Sequence, residues 1–503
     1  MKRSRLPRGS RAVRGPLREA RISALSAVAR VTLVGIGLSS VAVLVGLVAT
    51  NAGLSAQEPD SIPEPASPET DAGERLFDWT SLQFTPEEYA RRRDAVLAEL
   101  QASGGGGLLV LSAHGLSHGD TFRQADDFLY LTGLELPGSA LFLNTESGVA
   151  TLFAPLRDFR FESATRPNDF PGRPLADDPE LAQRSGIEQV LEIGDLDRLL
   201  VAWADGGRTL RFNPGRAGEI RRVETSLIAD WDPQLLSLYY LQQKYPELQI
   251  ENAYSEIARV RMIKSPAEID AMRRSADLTM ESIRAAAGTI RDGVTERELE
   301  GAFEAACKSG GAQRPAFASI VKSGPNSLWP WRILAAHYDR RNRAMRGGEL
   351  VIFDVGCELD HYVSDVGRTF PVSGRFSPEQ ASILSMEIAV ADAIIAAVRP
   401  GFTFRQLQTV AESVIPSEHR PYMQAGLFFG HHLGLSTGDP SLADMPLAPG
   451  MVFTVEPWYY NHELGISVFT EDEILVTEDG AEVLTAGLPR HPTELELLVG
   501  SRR

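Results

Sequence analysis

Cysteine is nearly absent: Cys307 and Cys357 are the only two in 503 residues. That excludes a disulfide-stapled scaffold and any zinc or iron–sulfur site built from several thiolates. Positive charge is also short outside the leading segment. Residues 1–30 hold nine Lys/Arg against one Glu, and residues 31–56 hold no charge at all. With −17 for the whole chain and +8 in its first 30 residues, the rest carries −25. A body this acidic, with no basic block, makes a poor nucleic-acid binder. There is no strong internal repeat. What is plentiful is apolar content, 43% hydrophobic against 23% charged, which supports a large buried core. At roughly 150 residues per domain, two or three domains are expected.

The leading segment reads as a targeting signal. An Arg-rich stretch, Met1–Arg30, precedes an uncharged apolar run, Val31–Ala56, densest at Val41–Ala49. Basic then apolar is the pattern of export with the basic side held back. The run exceeds the ~7–15 residues of a signal core and approaches the ~20 of a membrane span, so residues 1–56 are a signal peptide or an anchor. Ala56 before Gln57 is small enough for a cleavage site. Residues 57–76, rich in Pro, Ser, Asp and Glu, read as a solvated tether. The globular part is therefore expected outside the cytoplasmic membrane, with the N-terminal segment engaging membrane or export machinery. Cys307 closes a predicted helix and Cys357 lies in a predicted strand. Although an oxidising compartment favours pairing, no bond between them is expected.

Two globular blocks follow. In the first, residues 77–250, Thr85-Pro86-Glu87-Glu88 reads as a capping box opening a helix to about Ala102. Gly104–Gly107 breaks it, Leu108–Ser112 reads as a buried strand, and short strands and helices alternate to about Gln249, an α/β pattern. In the second block, residues 251–495, helices open at capping boxes on Ser265, Thr295 and Ser377. Strand-like runs cover Glu349–Cys357, His361–Phe370, Met451–Glu456, Val468–Thr477 and Glu482–Thr485. Helices with antiparallel-looking hairpins indicate an α+β domain.

Carboxylates stand at the ends of several of these apolar strands. Asp354 ends Leu350–Phe353, and Asp365 lies eleven residues on. A hairpin turning on Leu359-Asp360 would set the two directly opposite each other, Cβ atoms about 5 Å apart. Carboxylates so placed repel unless one is protonated or a cation lies between them. Glu456 ends Val452–Val455, Glu471 starts an apolar strand, and His431 sits between Gly430 and Gly434, where glycine permits close backbone approach. Four carboxylates and one imidazole form a hard, oxygen-rich donor set suited to two divalent ions such as Mn²⁺, or Zn²⁺ or Co²⁺.

On these residues the chain resembles the metallopeptidases of the pita-bread fold, most closely Xaa-Pro aminopeptidase (aminopeptidase P). Asp354–Pro371, with Asp365 inside it, resembles the family segment carrying the first two ligands. His431–Leu435 resembles the histidine segment, and Gly450–Pro457 and Glu471–Thr477 the last two. Phe122–Gly133 resembles the aminopeptidase P N-terminal domain, and Arg261–Pro266 the start of its catalytic domain. The resemblance covers about residues 77–495 and implies a pita-bread catalytic domain of α+β class behind a smaller α/β N-terminal domain. It also implies two divalent metal ions, most often Mn²⁺. Asp354, Asp365 and Glu471 would hold one, and Asp365, His431, Glu456 and Glu471 the other, with a hydroxide between them attacking the scissile carbonyl. Glu456 would carry a proton, and His337 would assist substrate binding and proton movement. The substrates would be peptides with proline second, and relatives are commonly homo-oligomers.

The substrate side departs from the family pattern. Family histidines appear here as Gly438 and Leu427, and a family arginine as Phe469. Glycine at 438 removes a donor, roughly 2–4 kcal/mol of barrier stabilisation if nothing replaces it. His432 and His462 are candidates to compensate. Rival expectations are a catalytically altered metal- or peptide-binding relative, a prolidase-like dipeptidase, and a serine hydrolase using the Gly115–Gly119 elbow. The last lacks the helix that should follow its serine.

Overall fold

The computed structural model describes residues 82–113, 122–156, 175–215, 218, 220, 233–328, 342–423 and 430–501. The targeting segment 1–56, the tether 57–76, the Gly115–Gly119 elbow, Leu427 and His337 lie outside them.

The first block is built on one mixed sheet. Its strands are β1 (Gly107–Leu111), β2 (Ala140–Asn144), β3 (Ala150–Ala154), β4 (Gln189–Glu192), β5 (Thr209–Phe212) and β6 (Gln249–Asn252), in the spatial order β4-β3-β2-β1-β5-β6. The central β1–β2–β3 pairs are antiparallel and the outer pairs parallel. Side chains alternate across the strands, as the period of two requires. Leu109 joins Trp203 and Leu238 on one face, while Leu108 and Val110 join Leu97 and Leu100 on the other. That second cluster also contains Tyr362, Leu433, Leu475 and Leu484, so the two blocks share one core. The helix Pro86–Ala102 starts where expected but without the capping box. Glu88 is drawn instead to Arg91 and Arg92, one turn on.

In the second block the helices Pro266–Ala287, Glu296–Ser309 and Pro378–Ala397 each open on a completed capping box, at Ser265, Thr295 and Ser377. A fourth box, Thr403 with Gln406, opens Phe404–Val414. The helix Pro378–Ala397 is long and apolar enough to cross a membrane, yet it buries Ile383, Leu384, Ile388 and Ile394 in the protein core.

The strands are β7 (Arg314–Pro315), β8 (Ile320–Ser323), β9 (Leu350–Val355), β10 (Cys357–Leu359), β11 (Tyr362–Val363), β12 (Val366–Pro371), β13 (Val452–Val455), β14 (Trp458–Asn461), β15 (Ile466–Phe469), β16 (Asp472–Val476) and β17 (Ala481–Val483). They form sheets β11-β10-β7, β12-β9-β8, β13-β16-β17 and β14-β15. The expected run Val468–Thr477 is two strands rather than one, interrupted at Thr470-Glu471 where the chain passes from one sheet to the next.

The hairpin register differs from expectation. Leu359 pairs with Tyr362, so the turn is Asp360-His361, and both residues have positive φ (50° and 66°). Both positions of this tight turn need left-handed backbone, which Asp tolerates far better than Leu. Leu359 therefore stays in the strand, and Asp354 faces Gly367 rather than Asp365. The slip is two residues, which preserves the face, so both aspartates still point to the same side.

Contrary to expectation, Cys307 and Cys357 are bonded. The bond ties the helix Glu296–Ser309 to β10, with the two Cα atoms 5.8 Å apart, within the ordinary range for a disulfide. Neither cysteine is accessible.

Candidate metal centre

The expected carboxylate ligands sit where strands begin or end. Asp354 is on β9, Asp365 immediately precedes β12, and Glu471 immediately precedes β16. The two sheets meet at a bridge between Gly367 and Glu471, through Gly367 N to Glu471 O (3.3 Å) and Glu471 N to Gly367 O (3.0 Å). A Cβ on Gly367 would stand 2.8 Å from Glu471 Cβ, so glycine there lets the glutamate cross into the space above Asp354. One carboxylate oxygen from each of Asp354, Asp365 and Glu471 lies within 4.8 Å of the others.

His431 and Glu456 complete the group. Thr454 O accepts from Gly430 N, and Thr454 N donates to His431 O, which runs the histidine segment alongside β13. His431 Nε2 stands 3.5 Å from Asp365 Oδ2. Glu456 lies against Gly430, where a Cβ would meet Glu456 Oε1 at 1.7 Å. The five residues singled out in the sequence thus converge on one place. His432, by contrast, turns away and packs on Phe404 and Phe453, with centroids at 5.4 and 6.1 Å. Burial, reinforced by Lys264, pushes its pKa down to about 3. It is not the compensating donor the sequence suggested. His462 is exposed at the β14–β15 turn.

The electrostatics call for a cation. Asp354, Asp365, Glu456 and Glu471 are 4%, 4%, 6% and 1% exposed, so water does not solvate them. Burial pushes Asp354 up to about 7. Burial, then the Asp354 charge, pushes Glu456 up to about 8. Asp365 is raised well above the carboxylate range by burial and then by the charges of Asp354, Glu456 and Glu473, and Glu471 by burial and then by those of Asp365, Glu456 and Asp354. Asp365 Oδ1 and Glu471 Oε1 have no hydrogen-bond partner. Orphaned oxygens in a buried acidic cluster are what divalent cations satisfy, so the residues present fit a metal site.

These shifts set a pH dependence. Unfolded carboxyls titrate near 4, whereas the buried ones titrate near 7 to 8 or higher. Between those limits the metal-free folded protein binds more protons than the unfolded chain, so its stability falls as pH rises from about 5 to 8. A bound cation removes that penalty. The melting-temperature gap between Mn²⁺-loaded and chelated protein should therefore widen over that range; a gap that narrows would contradict the buried cluster.

Supporting residues were not legible in the sequence. Glu473 Oε1 accepts from Ser364 Oγ and from Asp365 N (3.0 Å), fixing the backbone that carries Asp365. The segment after His431 is pinned by buried Asp439, which pairs with Arg261 and with Lys264 (3.1 Å). Arg261 also reaches Asp127 of the first block at 2.7 Å. On the substrate side, Gly438 is exposed with open space around it. Phe469 is buried against Gly367 and stacks on Trp458 at 3.6 Å.

The fold and the carboxylate cluster define a metal-dependent hydrolase. Residues 270–478 match Metallopeptidase family M24, and residues 89–210 match the Aminopeptidase P, N-terminal domain. Xaa-Pro aminopeptidase 3 of Rattus norvegicus is 30% identical over 460 residues, 81% of this chain and 85% of the relative. Xaa-Pro aminopeptidase of Escherichia coli (strain K12) is 27% identical over 458 residues, 84% of this chain and 99% of the relative. A solved structure described as a putative aminopeptidase P from Bacillus anthracis superposes with a TM-score of 0.69 at 26% identity, covering 82% of this chain and 98% of that one. The chain belongs to the pita-bread metallopeptidases of family M24, in the aminopeptidase P group. It is a metallo-exopeptidase of a family that works with divalent metal ions, typically two.

Proposed function

We propose that this protein removes the N-terminal residue from peptides with proline in second position, using two divalent ions, most often Mn²⁺. The supporting observation is the buried convergence of Asp354, Asp365 and Glu471 with two orphaned carboxylate oxygens. Asp354, Asp365 and Glu471 would hold one ion, and Asp365, His431, Glu456 and Glu471 the other. When bound, such ions lower the pKa of water and polarise a peptide carbonyl. The chain's own residues supply the rest. Glu456, buried beside the other carboxylates, is assigned the proton transfer to the departing amine. Thr454, beside Glu456, accepts from His431 N (3.3 Å) and keeps the imidazole at the edge of the carboxylates. His337 is assigned to substrate binding by resemblance alone.

The same reading places residues 77–250 as an N-terminal domain and 251–495 as the catalytic domain, exported on or anchored by residues 1–56. The buried disulfide supports an oxidising location. A panel of Xaa-Pro peptides assayed with Mn²⁺, with and without chelator, is the test. Chelator-sensitive release of the first residue is expected, favouring proline second. Gly438→His, placed in open space, should raise the rate on these substrates. Metal-loaded protein that cleaves no peptide would instead point to a catalytically silent relative.

A further inference from the structure

Arg368 takes no part in the ligand set above, yet its surroundings are unusual. It is 0% exposed, on the face of β12 opposite Gly367. Its five N–H groups are all spent. Nη1 donates to Gly367 O (2.7 Å) and Glu471 O (2.6 Å). Nη2 donates to Asp472 Oδ1 (2.8 Å) and Leu488 O (3.0 Å), and Nε to Pro489 O (2.9 Å). Its charge is matched by Asp472, which also accepts from Thr485 Oγ1 (2.7 Å) and lies 3.4 Å from Arg490. Arg490 in turn pairs with the half-exposed Asp392 at 2.9 Å.

The place it binds decides its meaning. Gly367 and Glu471 form the bridge by which β12, beginning just after Asp365, meets β16, beginning just after Glu471. Arg368 grips the carbonyls of both bridge residues at once. The crossing that spaces Asp365 and Glu471, the two residues assigned to both ions, thus carries one planar fork on top of its two backbone hydrogen bonds. We propose that Arg368 is a positioning residue for the metal centre, fixing Asp365 and Glu471 relative to each other across the sheet crossing. This rests on the metal reading given above. Ligands must be held to within about 0.5 Å of productive geometry, and outer partners of ligands commonly set 10–100-fold in metal affinity. Lysine cannot substitute, because an ammonium is a point charge with three donors and no rigid fork.

The test is calorimetric titration of the chelated full-length protein with Mn²⁺ well below its melting temperature, with folding checked by circular dichroism. Arg368→Lys keeps the charge and should weaken Mn²⁺ binding by about 10–100-fold. Arg490→Met, which removes only the outer member of the same chain of charges, should bind Mn²⁺ as the wild type does. Should Arg368→Lys fail to fold, Asp472→Asn leaves the arginine in place but loosens one arm of its fork, and a weakening of several-fold is expected. A folded Arg368→Lys or Asp472→Asn that binds Mn²⁺ with wild-type affinity overturns the positioning role. So does an Arg490→Met that loses affinity as much as Arg368→Lys, because the effect would then be general destabilisation. Wild-type protein that binds no Mn²⁺ refutes the metal reading itself, and is a separate result.

Discussion

Asp365→Ala should abolish peptide hydrolysis, with a fall of at least about 10³-fold in kcat/KM. Asp365 is the residue the rest of the cluster surrounds. His431 Nε2 is 3.5 Å from it, its carboxylate groups with those of Asp354 and Glu471, and its backbone N–H is held by Glu473. Its removal deprives both proposed ions of a donor and lowers the negative charge that attracts them. The loss should appear in kcat/KM and in metal content together. Circular dichroism should remain that of a folded protein, since the truncated side chain relieves repulsion among buried carboxylates. An Asp365→Ala protein that retains a tenth of the wild-type rate, or its full metal content, would place the chemistry elsewhere.

Cys307→Ser or Cys357→Ser should cost about 4 kcal/mol of unfolding free energy, the value expected for a bridge closing a loop of this length. The bonded residues are 50 apart in sequence, and that loop contains β8, β9 and Asp354. Denaturant titration of wild type, single variants and reduced wild type gives the value. Equal midpoints for all of them would show that the thiols do not pair in solution. With the bond absent, the backbone of Cys357 remains held by Thr279 Oγ1, which accepts from its N–H (3.0 Å), and by Ser275 Oγ, which donates to its carbonyl (2.9 Å). Activity of the folded variants should therefore change much less than stability.

Legibility in the sequence tracked the range of the interactions involved. The helix starts at Ser265, Thr295 and Ser377 were readable because a capping box is a contact within four residues. Thr85 misled because its Glu88 found arginines one turn further along the same helix. The pairing face of Asp354 and Asp365 was readable from alternation alone, whereas their register was not. The turn moved by one residue to place Asp360 and His361, rather than Leu359, in left-handed backbone. The ligands themselves could be singled out because carboxylates at the ends of apolar strands are conspicuous. Arg368, Glu473 and Asp439 could not, because their partners lie 103, 108 and 178 residues away and only the folded chain brings them near. The disulfide was missed for the same reason: a helix end and a strand edge carry no local sign that they will touch.

The core shared by the two blocks has a consequence for the order in which the chain can fold. Leu97, Leu108 and Phe128 share their cluster with Leu433, Leu475 and Leu484, the last of these 356 residues beyond Phe128 in the chain. Until that stretch has been synthesised, that side of the first sheet is covered only by the first block's own helices, Pro86–Ala102 and Asp126–Thr132 among them. The leading half therefore completes this core late, and its uncovered apolar surface is meanwhile exposed to aggregation and to any machinery that handles unfolded chains.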